Sequence, residues 1–396
     1  MKDIYLDHAA TTYVREEVLK EMEKYFTEVY GNPGSFNSIG LKAKEALDKA
    51  RDKIKELLNA PSEKNIIFTS GGTESINLAI KGVARSLKKK GNHIITSKVE
   101  HHAVLETCKY LEEEGFEVTY LDPDQYGIIS VEQLIRAIKS NTILVSLMYA
   151  NNEIGSINPI KELAEICKSK RIYFHTDACQ AGCLLNIDVK ELNIDLMTLN
   201  SSKLYGPKGV GLLYIKTGIL IKPIIHGGGQ EFGLRSGTEN VPGIMGFAKA
   251  LELAQLEREE ENKRLGKLSK KLTEGILNNI PKTVLNGHPK NRLSNNVNIS
   301  FLDIEGEALL LYLNEHGFCA SSGSACTSKT LDPSHVIIAT GVPYEFAHGS
   351  LRITLGKKTS EEDIDLMISV LPKIVEKLRL ISPFNLKMEE VKINAR

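Results

Sequence analysis

A repeating pattern between residues 60 and 215 limits the fold of this chain more than any other feature. Short apolar runs of strand length occur at residues 65–69, 93–97, 117–121, 142–148, 171–176, 196–199 and 210–215. Helix-like amphipathic stretches lie between several of these runs, notably at residues 74–88, 104–114 and 159–168. Nearly continuous apolar strands that alternate with helices are typical of a mostly parallel sheet covered on both faces. The pattern therefore predicts an α/β fold.

The remainder of the chain has a different pattern. A long charged helix is predicted at residues 241–279, followed by a strand at 296–302, a helix at 305–316, a strand at 350–354 and a helix at 361–378. This arrangement indicates a second, smaller α+β domain, which the long helix joins to the first. The length of 396 residues is enough for two or three packed units.

Composition and charge exclude several classes of function. Lys plus Arg and Asp plus Glu both total 50, so no excess charge favours direct binding of nucleic acid. The N-terminus lacks the apolar core of a signal peptide, and apolar runs such as residues 142–150 are too short to cross a bilayer. The 6 cysteines form neither a disulfide framework nor a zinc-site spacing, so no metal and a reducing cytoplasmic location are expected.

Two polar motifs follow predicted strands, where ligands bind in open parallel sheets. The segment TSGGTES at residues 69–75 lies between a strand and a helix, where glycine backbone and the hydroxyl of Thr73 can bind an anion. A plain tight turn explains this segment equally well. In HTDACQ at residues 175–180, Asp177 is either a helix N-cap or the partner of a cofactor's pyridine nitrogen.

Two further motifs carry candidate reactive groups. Lys203 follows an apolar strand and precedes a rigid Gly-Pro turn, a position that suits a Schiff base with an aldehyde. An isolated lysine would more often be a surface residue. Cys326 lies among six small residues in ASSGSACTSK at residues 320–329, which indicates an exposed, reactive thiol rather than a core cysteine.

Together these motifs occur in the order found in one family. They are GGTE at 71–74, EHH at 100–102, NNEIG at 151–155, DACQ at 177–180, SKLYGPKG at 202–209, GGGQE at 227–231, RSGTEN at 235–240 and SSGSAC at 321–326. The chain closely resembles the NifS/IscS-type cysteine desulfurases of the class V aminotransferase group, from YLDHAATT at 5–12 to about residue 380. The resemblance implies a fold-type I fold that depends on pyridoxal 5′-phosphate (PLP). It implies a large PLP-binding domain at 15–258 and a small domain, 1–14 and 259–396, with the catalytic cysteine loop.

The resemblance also implies which residues bind the cofactor. Lys203 is expected to form the Schiff base and then to move protons at the substrate carbon. Asp177 is expected to pair with the pyridinium nitrogen and Gln180 to bond the phenolic oxygen, while His101 lies flat on the ring and shuttles a proton. The expected phosphate ligands are Gly72, Thr73, Asn200, Ser202 and, from the partner subunit of a homodimer, Thr238.

For the reaction, the resemblance implies conversion of L-cysteine to L-alanine. Asn152 and Arg352 are expected to hold the substrate, because a guanidinium binds a carboxylate through two parallel bonds. Cys326 is expected to take the sulfur as a persulfide and pass it to an iron–sulfur scaffold protein (IscU-like) or another acceptor. The group that deprotonates Cys326 stays open between His101 and the substrate thiolate.

Three alternatives remain at this point. They are a selenocysteine lyase, a transaminase of the same fold, which has no need of Cys326, and a non-catalytic cluster-assembly paralogue, which has no need of Lys203 or Asp177. One position departs from the family pattern, because many relatives carry His where this chain has Ser202. The other cysteines are interpreted as core residues: Cys108, Cys167, Cys179, Cys183 and Cys319.

Overall fold

The computed structural model describes residues 3–322, 332–383 and 385–386. Its strands are β1 (Ile4–Tyr5), β2 (Ile66–Thr69), β3 (His93–Ser97), β4 (Glu117–Leu121), β5 (Thr142–Ser146), β6 (Tyr173–Asp177), β7 (Leu196–Asn200), β8 (Gly211–Ile215), β9 (Thr283–Leu285), β10 (Asn296–Phe301), β11 (Phe318–Cys319) and β12 (Ser350–Thr354). Its α-helices are α1 (Glu16–Thr27), α2 (Ser38–Leu57), α3 (Gly72–Leu87), α4 (His102–Glu113), α5 (Val131–Ala137), α6 (Ile160–Ser169), α7 (Val241–Asn279), α8 (Gly306–Glu315), α9 (His335–Ala339), α10 (Tyr344–Ala347) and α11 (Glu361–Ile381).

A seven-stranded sheet in the order β2-β8-β7-β6-β5-β3-β4 forms the centre of the larger part. Neighbouring strands are parallel except at β8, which runs antiparallel to both β2 and β7. The predicted α/β fold with a mostly parallel sheet is confirmed. Most of its strands are buried along their whole length, which explains their nearly continuous apolar sequence.

The parallel strands have a consequence for where a ligand can bind. Because β2, β3, β5, β6 and β7 point the same way, the loops that follow them meet at one edge of the sheet. Every motif predicted near a strand end between residues 69 and 203 lies in one of these loops.

Two large apolar clusters lie along α7. The first half of the helix packs with the central sheet through residues such as Phe247 and Leu251. The second half packs with the smaller sheet β12-β10-β9 and α11 through residues such as Leu272 and Ile276. The long helix therefore contributes to both cores. The exact domain boundaries at residues 14/15 and 258/259 stay a prediction.

The N-terminal segment belongs structurally with the end of the chain. Strand β1 pairs in parallel with β11, and the backbone N–H of Thr354 donates to the carbonyl of Leu6 at 2.7 Å. No helix among the described ranges is both long enough and apolar enough to cross a membrane.

Candidate active site

The loops at the carboxyl edge of the central sheet surround a cavity of 620 Å³. This volume is within the range of small-molecule and cofactor sites. The cavity brings together the following residues predicted for the site: Gly72, Thr73, His101, Asn152, Asp177, Gln180, Asn200, Ser202, Lys203 and Arg352. Ala9 and Ala10, from the N-terminal segment, complete the wall.

Lys203 ends a short 3₁₀ turn that directly follows β7. Its Nζ donates to the carbonyl of Ala9 at 2.8 Å and also to that of Ala10. The amide of Gln180 donates to the same Ala9 carbonyl at 2.9 Å. The N-terminal segment therefore holds the amine in the cavity, at a fixed place relative to Gln180.

Asp177 ends β6 and is 7% exposed. One carboxylate oxygen accepts from the backbone N–H of Cys179 at 2.9 Å, which fixes the side chain at the start of the following turn. A buried carboxylate in a cavity is costly unless a cation or several donors compensate it. A protonated pyridine nitrogen would supply that compensation.

His101 is the N-cap of α4, where its Nδ1 accepts from the backbone N–H of Ala103 at 3.1 Å. Burial lowers the pKa of His101, although Asp177 acts in the opposite direction. The ring is therefore neutral around pH 7 and able to accept a proton. The adjacent His102 contacts the ring of His335, with centroids 4.7 Å apart.

The N-terminus of α3 forms the end of the cavity predicted for phosphate. Gly72 begins the helix, and a Cβ placed there would lie 2.9 Å from the sulfur of Cys179. Glycine therefore allows the helix start to approach the cavity wall closely, with its unpaired N–H groups and positive dipole end. Asn200 and Ser202 line the same cavity. These residues fit a phosphate.

Arg352 lies on β12 and is 3% exposed. Its Nη2 forms an ion pair with Asp7 at 2.7 Å, and its Nη1 donates to the carbonyl of Asn152 at 3.2 Å. Within the described residues Nε has no partner. The guanidinium is thus held from two sides where it lines the cavity. The sequence analysis gave no role to Asp7, although the YLDHAATT motif contains it.

Two buried carboxyl groups near the cavity were also missed. Glu100 accepts from Ser97 and from the backbone of Met148, and burial raises its pKa to about 8. Glu153 lines the cavity and accepts from the hydroxyl of Ser334, and burial raises its pKa to about 7. The only sequence signal was their position inside the EHH and NNEIG motifs.

Two predicted site residues are not in the described cavity. Cys326 lies outside the described residues, but Asp332, where the description resumes, lines the cavity. Thr238 is exposed and is not among the described residues that line the cavity, so its expected role at the phosphate of a partner subunit stays a prediction. In the described part of the chain no three His, Cys, Asp or Glu side chains are arranged to hold a metal ion.

The predicted core role of the other cysteines is only partly right. Cys108 and Cys167 are fully buried in apolar clusters. Cys179 lies in the cavity wall instead, because its turn follows a strand that ends at the site. Burial raises the pKa of the Cys179 thiol well above its usual value, so this sulfur is not a ready nucleophile.

The fold and site together define a class of protein. A mostly parallel sheet, a lysine and a buried aspartate at the ends of adjacent strands, and a helix N-terminus for a phosphate are the features of fold-type I PLP-dependent enzymes. PLP is therefore the cofactor of this chain.

Comparison with known proteins gives the particular family. The model of the aminotransferase class-V family matches residues 4–367. The chain is 56% identical to a Clostridium botulinum protein named cysteine desulfurase IscS, over 96% of each chain. A solved "NifS-like protein" superposes with a TM-score of 0.89 at 39% identity, covering 95% of this chain and 100% of the other. A structure titled "SspA in complex with cysteine" superposes with a TM-score of 0.79 at 38% sequence identity, covering 89% of this chain and 98% of the other. The chain belongs to the class V aminotransferase family, among its cysteine desulfurases.

Proposed function

We propose that this enzyme converts L-cysteine to L-alanine and holds the released sulfur as a persulfide on Cys326. One observation carries the proposal: a single cavity joins Lys203, Asp177, His101 and Arg352, and its wall includes Asp332, six positions after Cys326. Six residues span at most ~20 Å, so the thiol is within reach of the cavity. The titled relative that binds cysteine supports this choice of substrate.

Binding of the amino acid is assigned to Arg352 and Asn152. The guanidinium is buried and already oriented by Asp7 and by the carbonyl of Asn152. A carboxylate that bonds the remaining donors is therefore fixed in one orientation, with little loss of side-chain entropy on binding. With its carboxylate bound there, the substrate is expected to present its α-carbon and amine to Lys203, which lines the same cavity.

Movement of protons is assigned to Lys203 and His101. PLP, when bound, supplies an electron sink that stabilises negative charge on the substrate's α-carbon. Lys203 removes the proton from this carbon, because its amine is the base that the N-terminal segment holds in the cavity. Asp177 keeps the pyridine nitrogen protonated. His101, neutral through burial, accepts and returns a proton.

The sulfur transfer step is assigned to Cys326. Its thiolate attacks the sulfur of cysteine, and the new S–S bond forms as the substrate's C–S bond breaks. The electron pair of the broken bond stays on the substrate carbon, which is protonated to give alanine. A free thiol titrates near ~8.5, so a neighbouring base such as His101 must assist at neutral pH.

The direct test is mass analysis of the peptide containing Cys326 after the holoenzyme is incubated with cysteine. We expect one added sulfur atom on this peptide. Replacement Cys326→Ser should abolish the modification while the protein stays yellow, because the thiol takes no part in holding PLP. Cys319→Ser is the matched control and should behave as the unchanged protein. Unchanged sulfide release by the Cys326→Ser variant would rule out the persulfide.

We also propose a homodimer in a reducing, cytoplasmic setting. Large aromatic side chains are exposed on the larger part, including Phe36 at 97% and Tyr30 at 64%. Exposed apolar surface of this kind is usually covered by a partner. A second copy would cover it and bring Thr238 to the neighbouring phosphate. Sedimentation equilibrium measures the molar mass in solution and so tests the dimer. A Phe36→Asp variant should shift the equilibrium between dimer and monomer toward the monomer.

The proposed acceptor is an iron–sulfur scaffold protein or another sulfur acceptor. This assignment rests on the resemblance to NifS/IscS-type enzymes and on the relatives' names. It is tested by incubating persulfide-loaded enzyme, freed of cysteine, with a candidate scaffold and measuring the sulfur that moves to the scaffold.

A further inference from the structure

Two adjacent residues, Ser334 and His335, follow the part of the chain that the structure does not describe, and both form hydrogen bonds at the cavity rim. The hydroxyl of Ser334 donates to a carboxylate oxygen of Glu153. Next to it, a ring nitrogen of His335 bonds the backbone carbonyl of Glu100 at 3.0 Å, and its ring contacts that of His102. Ser334 is also the N-cap of α9, since its oxygen accepts from the backbone N–H of Ile337 at 3.2 Å.

Glu153 is itself held by both parts of the molecule. Its backbone N–H donates to the side chain of Asn151 at 2.8 Å, within the turn that follows β5. Its carbonyl accepts from the side chains of Asn296 and Asn298 on β10, each at 3.0 Å. The residue is 5% exposed. The carboxylate that binds Ser334 is therefore attached to a rigid junction between the central sheet and the smaller sheet.

The burial of the Glu153 carboxylate has a cost in free energy. Its desolvation is costly, and a glutamine or an apolar residue would fill the same space without that cost. Burial raises the pKa of Glu153 to about 7. Above that pH the ionised group gives Ser334 a charge-assisted hydrogen bond, which is stronger and more directional than a neutral one. Ser334 lies eight positions after Cys326 in the sequence. A fixed point at this separation along the sequence limits how far the chain that carries the thiol can extend.

We propose that Glu153 is a positioning residue for sulfur transfer: by holding Ser334 at the cavity rim, it fixes the point from which the chain carrying Cys326 extends to the substrate. This inference rests on the proposed role of Cys326. Glu153 acts through Ser334 and takes no part in binding the cofactor.

The test compares two steps in the PLP-loaded enzyme. The first is the change in cofactor absorbance when cysteine binds, and the second is the rate of persulfide formation on Cys326, followed by rapid quenching and mass analysis. At pH 8.5, where Glu153 is ionised, Glu153→Gln and Ser334→Ala should each slow the second step about tenfold, the low end of what loss of a charge-assisted hydrogen bond gives. The half-saturating cysteine concentration of the first step should change less than about twofold.

Three further variants separate positioning from general damage. The double variant should be no slower than the slower single variant, because both substitutions weaken or remove the same contact. Ser334→Thr keeps the hydroxyl and should restore most of the rate. Thr340→Val removes a hydroxyl that donates to the carbonyl of Ile337 within the α9 region, and this variant should react as the unchanged enzyme.

Any outcome other than these would contradict the proposal. A normal persulfide rate in Glu153→Gln would mean that Ser334 needs only its cap bond to Ile337. If Glu153→Gln weakened the absorbance change on cysteine binding as much as it slowed persulfide formation, Glu153 would be needed for binding in the cavity rather than for sulfur transfer. If instead the unchanged enzyme forms no persulfide on Cys326, the proposed function fails, and this result is visible before any variant is made.

Discussion

Arg352 shows at the scale of a single residue how a guanidinium in the cavity is oriented by its neighbours. Its guanidinium is buried and bonded to Asp7 and to the carbonyl of Asn152, so its plane is set before a ligand arrives. Lysine keeps the charge but loses the planar fork that fits a carboxylate.

We therefore expect Arg352→Lys to lower kcat/KM for cysteine about 10- to 100-fold, mostly through KM, as loss of a charged hydrogen bond predicts. Steady-state alanine production measures the effect. Arg379→Lys is the control, because Arg379 bonds backbone carbonyls such as that of Leu302 on the smaller part. An equal change of KM in both variants would contradict a role for Arg352 in substrate binding.

Glu100 predicts a pH dependence of stability. Burial raises its pKa from 4.5 to about 8, so the folded protein binds one more proton than the unfolded chain between these values. Its contribution is complete below about pH 4.5 and is lost as the pH rises toward 8. The loss proceeds at up to ~1.4 kcal/mol per pH unit.

Glu100→Gln removes this titration. The free energy of unfolding of the variant, relative to that of the unchanged protein, should therefore be larger at pH 8 than at pH 5.5, so that the variant gains relative stability as the pH rises. Urea unfolding at the two pH values measures the difference. Glu113→Gln, at an exposed position near the end of α4, is the control. A difference that is independent of pH would mean that Glu100 does not titrate in this range.

The residues found from the sequence and those missed differ in a physical way. Lys203 and Asp177 could be predicted because Asp177 ends an apolar strand and Lys203 lies three residues after another, and a strand end fixes where a nearby side chain lies. The ion pair of Asp7 with Arg352 joins residues 345 positions apart, and the contact of Ser334 with Glu153 spans 181 positions. Such contacts depend on how the two parts pack, which local sequence patterns do not reveal. The chemical roles of the gathered residues stay predictions.

At the scale of elements, the long helix α7 gives the clearest result. Its predicted limits at residues 241–279 are confirmed, since charged residues face solvent while apolar residues recur with helical spacing. The short strands β1 and β11 were missed because two residues carry no periodic signal. The antiparallel direction of β8 was also missed, because a fully buried strand has the same apolar sequence in either direction.

The same helix allows a test of its contribution to the smaller core. Leu272 is fully buried in the second apolar cluster, so Leu272→Ala should lower the free energy of unfolding by about 2–5 kcal/mol. Leu256, on the same helix but 79% exposed, is the control. Leu256→Ala should change the free energy of unfolding by less than about 0.5 kcal/mol. Urea unfolding of both variants measures these values. Equal effects would contradict the packing described for α7.

At the scale of the whole molecule, the proposed homodimer predicts complementation between subunits. If Thr238 serves the partner's phosphate, a Lys203→Ala subunit paired with a Thr238→Ala subunit forms one intact site, built from the lysine of one and the threonine of the other. We expect mixed dimers to retain PLP better, and to be more active per Lys203, than Thr238→Ala dimers. Dialysis followed by measurement of bound PLP checks this. No gain on mixing would place Thr238 in its own subunit's site.

The pairing of the N-terminal segment with β11 and β12 has a consequence for the order in which the enzyme is made. The ribosome synthesises Ala9 and Ala10 first, yet the strands that hold their segment follow more than 300 residues later. A nascent chain can therefore complete its central sheet while its amine-bearing cavity still lacks one wall. Because β11 and β12 bind the segment that carries these two carbonyls, we expect the cavity wall beside the Lys203 amine to be completed late in synthesis.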